Sequence, residues 1–503
     1  MEVVSVATAK IIDKCAINEF QIPSIVLMEA AAHEIFTNIK HMRGNFHIFC
    51  GEGNNGGDGL AVARKLLADN KNVKIYIVGS GLKRTEEFTA NFNIIQKLTN
   101  DIIFIKEQKD IKSEIFELIK DDDIILDCIF GAGLNRTIND FRYEVIDKIN
   151  NCNGKIISVD IPSGLNGDTG QPEGISIKAY MTLTIENYKK GFLKKDADRY
   201  LGIIRVVGIG IPNIVKKLHN DGIYVLDKKE YRNKLPVRSA YGHKGNYGRV
   251  LVLAGSLGLT GAAYLSSMSA VATGSGLVTL LVPDTIQEIL SNKLVEVMTV
   301  NYKEENKIKK LIKNADVIAC GPGLSQSQES INMLERCIVD SKCSIVLDAD
   351  AINILSNKNY LFKYLENRCI ITPHFGEFSR LAHINISDIE KNSIEYCSKY
   401  SKKKSIITVL KGHNTVISDG TSAVINRTGN SKMASGGMGD TLTGIIASLV
   451  GQSINLYDSA ILGCYIHGLA GEISGKNKYS VKATDLIEYI PKVMKDIISD
   501  WVI

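Results

Sequence analysis

Ser435-Gly436-Gly437-Met438-Gly439-Asp440-Thr441-Leu442-Thr443-Gly444 sets three glycines within four positions directly ahead of an aspartate. An apolar, helix-forming run from Ile445 to Val450 follows at once. Glycines let a backbone turn with positive φ and bring its N–H groups close to a ligand. A helix starting there adds unpaired donors and the positive end of its dipole, which suits a phosphate or a developing negative charge. Asp440 then stands where a carboxylate can take a proton from a hydroxyl beside that anion. The plainer alternative is a glycine turn with the aspartate as a helix cap. Deciding between them requires the rest of the chain.

At 503 residues the chain exceeds one ordinary core, so two domains are expected. With 45% hydrophobic and 23% charged residues it reads as a globular protein. A net charge of +5, with lysines and acids interspersed, leaves no nucleic-acid or membrane footprint. The ten cysteines form no CxxC pair, which argues against a zinc site or a disulfide framework and for a reducing compartment. The N-terminus lacks a signal-peptide core and no apolar run approaches a membrane span, so a cytoplasmic location is expected.

In the first half, a short strand, Phe46 to Cys50, runs into Gly51-Glu52-Gly53-Asn54-Asn55-Gly56-Gly57-Asp58-Gly59, read as a loop, and then into a helix from Leu60 to Leu67. The spacing Gly51-x-Gly53-x-x-Gly56 matches the dinucleotide fingerprint. The next strand, Val73 to Val78, however, ends in Gly79-Ser80-Gly81 without the acid that holds an adenosine ribose, so a nicotinamide dehydrogenase is disfavoured. Two further strands end at Asp127, ahead of Gly131-Ala132-Gly133-Leu134-Asn135-Arg136, and at Asp160-Ile161-Pro162-Ser163-Gly164. Ligands of open parallel sheets bind beyond the carboxyl ends of strands, so these loops are expected to converge on one crevice. Asp160 is the candidate acid/base there, with Asn55, Asp127 and Ser163 as oxygen donors for a hard cation.

The ordered motifs IPSIVLMEAAA, NNGGDG, FGAGL and VDIPSGLNGDTG resemble the YjeF N-terminal domain over roughly residues 1–215. That resemblance implies a Rossmann-like, three-layer domain that epimerises hydrated NADH and NADPH. It carries substrate contacts onto Asn54, Asn55, Gly56, Gly57 and Asp58, onto Gly131, Ala132, Gly133, Leu134, Asn135, Arg136 and Thr137, and onto Asp160. It also implies K+ held by Asn55, Asp127 and Ser163. Ala30-Ala31-Ala32 departs from the Asn-Ala-Gly usual in the family at that point.

Past a short linker, the second half repeats the strand-then-loop pattern at Gly255-Ser256, Gly321-Pro322-Gly323, Asp348-Ala349-Asp350, Thr372-Pro373-His374 and Lys411-Gly412-His413-Asn414-Thr415. Ala262 lies in a small-residue helix that a ligand could approach, and His374 is read as a loop residue able to touch a ligand. A lysine followed by glycine at a strand end suits a second phosphate group. Neither a P-loop nor the protein-kinase signature set is present.

GGMGDTLTG resembles the anion-hole motif of ribokinase-like enzymes. Together with HKGNYGRVLVLAGS, GPGL, DADA, TPHFGE and LKGHNT, it resembles the YjeF C-terminal domain over residues 226–503. The resemblance implies a ribokinase-like α/β domain that dehydrates NAD(P)H-hydrate using ADP or ATP with Mg2+. It places Ala262, Gly323, His374 and Asp440 on the hydrated nucleotide. Lys411, Gly412, His413, Asn414, Thr415 and Gly439 fall on the adenine nucleotide, and Asp160 and Asp440 are the two catalytic residues. A homo-oligomer is expected. The rival reading is a ribokinase-type small-molecule kinase with a non-catalytic N-terminal nucleotide-binding module.

Overall fold

Short runs of aliphatic residues such as Ile124–Cys128 and Leu277–Val282 are buried nearly throughout, the pattern of parallel strands covered on both faces. A computed structural model describes residues 1–134 and 136–499, and the chain forms two compact units, Met1–Ile223 and one that starts at Tyr224. No helix among the described residues is long and apolar enough to cross a membrane.

In the first unit the sheet runs, edge to edge, through Ile102–Ile105, Val73–Val78, Phe46–Cys50, Ile124–Cys128, Lys155–Val159, Met181–Ile185 and Ile203–Val207, all parallel. Alternate residues of one strand enter different cores. Ile48 and Cys50 pack with the helices Ser24–Ile39 and Asn54–Ala68, whereas Phe49 packs with Val145 and Ile149 of Phe141–Asn150. The unit is therefore a three-layer, Rossmann-like sandwich. The strand order reverses beside Phe46–Cys50 and Ile124–Cys128, which opens a crevice at their carboxyl ends. A separate pair, Glu2–Val4 alongside Tyr188–Lys189, ties the N-terminus down with Val4 opposite Lys189.

The second unit orders Met298–Asn301, Leu277–Val282, Arg249–Leu253, Val317–Cys320, Ser344–Leu347, Cys369–Ile371 and Ile407–Leu410 in parallel. Thr415–Ser418 and Ala423–Asn426 then continue antiparallel. The helices Thr260–Ala272, Met438–Gly451, Leu456–Ser474 and Ala483–Ile498 share one core against it.

Two expectations are corrected. Asn54 to Asp58 are not a loop before a helix that begins at Leu60; the helix spans Asn54–Ala68 and contains them. Gly56 is needed there for close approach, since a Cβ would stand 1.7 Å from the Gly51 carbonyl oxygen. His374 is likewise not a free loop residue but the N-cap of the helix Phe375–Ala382.

Candidate functional sites

In the first unit, Asp160 leaves the strand Lys155–Val159 with φ +65, a left-handed conformation that is strained for an aspartate. The strain is held by contacts. The Asp160 N–H donates to the Leu183 carbonyl at 2.8 Å, its Oδ2 accepts from the Ala132 N–H at 3.0 Å, and its Oδ1 lies 3.0 Å from Lys189 Nζ. Lys189 is 2% exposed and also donates to Thr184 Oγ1 and to the carbonyls of Ile185 and Asn187. This ion pair escaped the sequence reading. Its one visible signal is a lysine after a strand of Thr and Ile residues, and sequence gives no reason to choose it over Lys190.

Around Asp160 the expected loops do converge. A Cβ on Gly131 would lie 3.1 Å from Asp160 Oδ2 and 3.3 Å from Asn55 Cβ. Asn55 Nδ2 donates to the Phe130 carbonyl at 2.9 Å, the Phe130 N–H donates to Ser163 Oγ at 2.8 Å, and the Ser163 hydroxyl donates to Asp127. Asp127 is fully buried and also accepts from Ser158 Oγ and the Ser163 N–H, each at 2.8 Å. Burial nevertheless pushes its carboxyl above the ordinary range, against the pull of those donors. Asn55 Oδ1 is buried with no hydrogen-bond partner among the described residues. An all-oxygen set with one orphaned carbonyl and one destabilised carboxylate fits a hard monovalent cation. Asp58 is buried one turn into its helix, and burial together with the charge of Asp160 raises its carboxyl well above the usual range. Asn54 and Gly133 are exposed, and Leu134 is half-buried. Arg136 and Thr137 are exposed, with Arg136 turned toward Asp140 at 3.9 Å, and Asn135 lies outside the described residues.

The place of the missing ribose acid at the end of Val73–Val78 is taken from the neighbouring loop. Glu52 lies against Gly79, accepts from the Gly81 N–H at 3.0 Å and pairs with Arg84 at 3.2 Å. That carboxylate is already engaged, as the disfavoured dehydrogenase reading requires.

In the second unit the helix begins at Met438, capped by Gly437 at φ +89, which glycine alone adopts without strain. Gly439 and Asp440 thus fall in its first turn, among the unpaired N–H groups. Asp440 is half-buried; burial first, and the nearby Asp348 second, push its carboxyl up to about 6. Lys411 Nζ lies 2.7 Å from Asp348 Oδ1, and the Thr443 hydroxyl donates to Asp348 Oδ2 at 2.9 Å. Burial would raise the Asp348 carboxyl, but Lys411 together with the hydroxyls of Thr443 and Thr372 outweighs it and holds the group below the ordinary range, so this buried residue is a fixed anion. A Cβ on Gly439 would stand 3.3 Å from Lys411 Nζ, so the ammonium sits against the start of the helix. Asp348 and Thr443 are the residues that sequence reasoning left without a role; only the folded chain brings them to Lys411 across 63 and 32 positions.

A cavity of about 390 Å³ opens there, walled by Lys411, Gly412, His413 and Thr415 on one side and by Gly439 and His467 on the other. Burial holds His467 down to about 4, so its ring is neutral, with Nε2 3.1 Å from Thr441 Oγ1. Asn414 is half-buried beside these walls. The remaining expected contacts gather nearby. A Cβ on Gly323 would meet that of Ala262 at 2.9 Å. His374 pairs with Lys411 as a parallel bridge, the Lys411 N–H donating to the Pro373 carbonyl at 2.8 Å. His374 Nδ1 accepts from the N–H groups of Gly376 and Glu377, and its Nε2 lies 3.4 Å from Glu377 Oε1.

A Rossmann-like unit followed by a ribokinase-like unit, each with an aspartate beside glycine-lined loops past the strand ends, defines a two-site α/β enzyme. Residues 24–191 match the family model of the YjeF-related protein N-terminus, and residues 250–492 match that of NAD(P)H-hydrate dehydratase. The chain is 35% identical to a bifunctional NAD(P)H-hydrate repair enzyme, Nnr, of Moorella thermoacetica, covering 99% of this chain and 97% of that protein. It is 32% identical to the enzyme of the same name from Dictyoglomus turgidum, over 99% of both chains. A ribokinase-like superfamily protein of Enterococcus faecalis aligns with TM-score 0.53 and 28% identity, over 56% of this chain and 99% of that one. The chain belongs to the bifunctional NAD(P)H-hydrate repair family.

Proposed function

We propose that the second unit dehydrates the S form of hydrated NADH or NADPH at the expense of ADP or ATP, and that the first unit interconverts the R and S forms. The observation that carries this reading is a carboxyl poised near 6, Asp440, in the first turn of a helix whose N-terminus also faces the Lys411 ammonium. The added hydroxyl of the hydrate is a poor leaving group. Asp440 takes its proton, and the oxygen attacks the terminal phosphoryl group of the nucleotide, breaking its bond to the bridging oxygen so that AMP departs from ADP, or ADP from ATP. Lys411 and the N–H groups at Gly439 stabilise the charge that develops. Phosphate then leaves with the oxygen, a ring proton is lost from the neighbouring carbon, and the dihydronicotinamide returns.

Asp348 keeps Lys411 charged and aimed, and Ala262, Gly323 and His374 hold the hydrated ring. The nucleotide lies against Lys411 to Thr415, bringing Mg2+ with it. At the first site, inversion of the hydroxylated carbon requires its C–O bond to break and re-form on the other face. A proton reaches the oxygen, water departs to leave a cation stabilised by the ring nitrogen, and water adding to the opposite face returns the proton. Asp160 carries it, held by Lys189 and the Ala132 N–H. Asn55, Asp127, Ser163 and the Phe130 carbonyl would hold K+, which when bound would supply a positive charge beside the buried Asp127 carboxyl. The test is to supply chemically hydrated NADH with Mg2+ and either ADP or ATP, following the absorbance of reduced nicotinamide. Recovery with phosphate release supports the reading. Accumulation of a stable phosphoester means a kinase instead, and no change with either nucleotide sinks it.

A further inference from the structure

A second cavity of the dehydratase unit, about 430 Å³, is lined by Gln326, Asn353, Ser356, Asn357, Arg380 and His383. None of these residues has a part in the chemistry above, yet three of them lie on elements that reach it. Gln326 follows Gly323 on the same loop. Asn353 lies on the helix Ala349–Asn357 that Asp348 caps, and Arg380 on the helix Phe375–Ala382 that His374 caps. At 1.5 Å per residue these side chains leave their helices about 7–9 Å from the capping residues. Arg380 Nη1 also comes within 3.9 Å of where a Cβ on Gly376 would stand, and the Gly376 N–H is bonded to His374.

The guanidinium is held but not neutralised. Its Nε and Nη2 both donate to Asn353 Oδ1, at 3.2 and 3.0 Å, and it forms no ion pair among the described residues. The acids closest along the chain are engaged elsewhere. Asp350 accepts from the Ser325 N–H at 2.8 Å, and Glu377 accepts from the His374 N–H at 2.8 Å. Asn353 thereby fixes the fork with a neutral oxygen and leaves its charge turned to a polar hollow, the arrangement that receives a phosphate.

We infer that this hollow is the subsite for a phosphate on the remote half of the hydrated dinucleotide, with Arg380 as its anchor and Asn353 as the residue that positions it. The inference rests on the proposed dehydration reaction. A dinucleotide whose reacting ring lies by Asp440 and His374 must lodge its pyrophosphate and second nucleoside beyond them. The anion is either the adenylate-side phosphate of the bridging pyrophosphate, which the mononucleotide lacks, or the 2′-phosphate that only NADPH-hydrate carries.

Steady-state dehydration by the full-length wild type, Arg380→Ala and Asn353→Asp, with hydrated NADH, hydrated NADPH and hydrated reduced nicotinamide mononucleotide, tests it. Arg380 is exposed, so its removal should leave the fold intact, and Asn353→Asp changes charge at nearly constant volume. Both variants should raise KM tenfold or more with kcat within about twofold, the loss expected of a charge-assisted phosphate contact. An effect on both dinucleotides identifies the pyrophosphate; an effect on NADPH-hydrate alone identifies the 2′-phosphate. KM for the mononucleotide should stay unchanged. Unaltered KM for both dinucleotides, or an equal rise for the mononucleotide, overturns the inference while the reaction stands. A wild type inactive on all three hydrates overturns the reaction and the inference together.

Discussion

Asp160 and Asp440 both stand past the carboxyl ends of parallel strands beside glycine-lined loops, but their surroundings treat the negative charge in opposite ways. Asp160 is clamped in a strained left-handed backbone by a buried lysine and a backbone N–H. Asp440 sits in a helix's first turn, where burial first and the fixed anion Asp348 second push its carboxyl up to about 6. Lys411, the cation that could relieve it, is committed to Asp348 at 2.7 Å. One carboxylate is held in place by its cation; the other is kept basic by burial and by a neighbouring anion that pairs with the nearest cation. The contrast shows that two aspartates at the same kind of sheet edge meet different electrostatics, set by burial and by which carboxylate the adjacent lysine pairs with.

Asp440→Asn strikes this comparison hardest. Dehydration should fall by about 10³-fold or more, the range for a lost general base, while epimerisation proceeds. Mixed R and S hydrates analysed by chromatography would reveal it, and loss of both activities in folded protein would break the division between the units. Next in size, Lys411→Met should cost about 10²–10³ in kcat of dehydration by removing charge stabilisation from the transferring phosphoryl group. In the same variant Asp440 loses an attractive charge, so its apparent pKa should rise further. A pH–rate profile showing no upward move would mean that Lys411 does not face Asp440.

Lys189→Met tests the other site. It leaves Asp160 strained and without its cation, so epimerisation should stop and the first unit should lose about 3 kcal/mol of stability, as when one partner of a buried pair is removed. Thermal melting together with epimer ratios checks both halves of that expectation. In the wild type, dehydration should be flat above pH 6 and fall about tenfold per unit below it. Asp440, whose pKa is raised to about 6, must be ionised to act.

The smallest expected effect is on stability. Asp440 is protonated more readily in the folded than in the unfolded chain, so the wild type carries a penalty that is full above pH 6 and gone below about 4. Asp440→Asn should therefore be more stable at pH 7 by about 1 kcal/mol, allowing for the solvent reaching this half-buried group, and no more stable at pH 4. Chemical denaturation at the two pH values decides it.

The parallel α/β character, the strand ends and both aspartates were legible in the chain because they depend on local chemistry. Runs of aliphatic residues mark buried strands. Glycines ahead of an apolar helix mark a turn where backbone N–H groups can meet an anion, and Ala262 lies in a small-residue helix, Thr260–Ala272, as its sequence suggested. Asn54 to Asp58 misled because glycine has two uses. There it admits the Gly51 carbonyl against a helix instead of bending a loop. Sequence by itself thus determined which residues could do chemistry. Tertiary structure alone decided their partners: that Lys189 pairs with Asp160, that Asp348 claims Lys411, and that Asn55 keeps one buried oxygen unbonded among the described residues. Coulomb energy and desolvation depend on distances of a few ångströms between residues tens of positions apart in the chain, and only the packed core sets those distances.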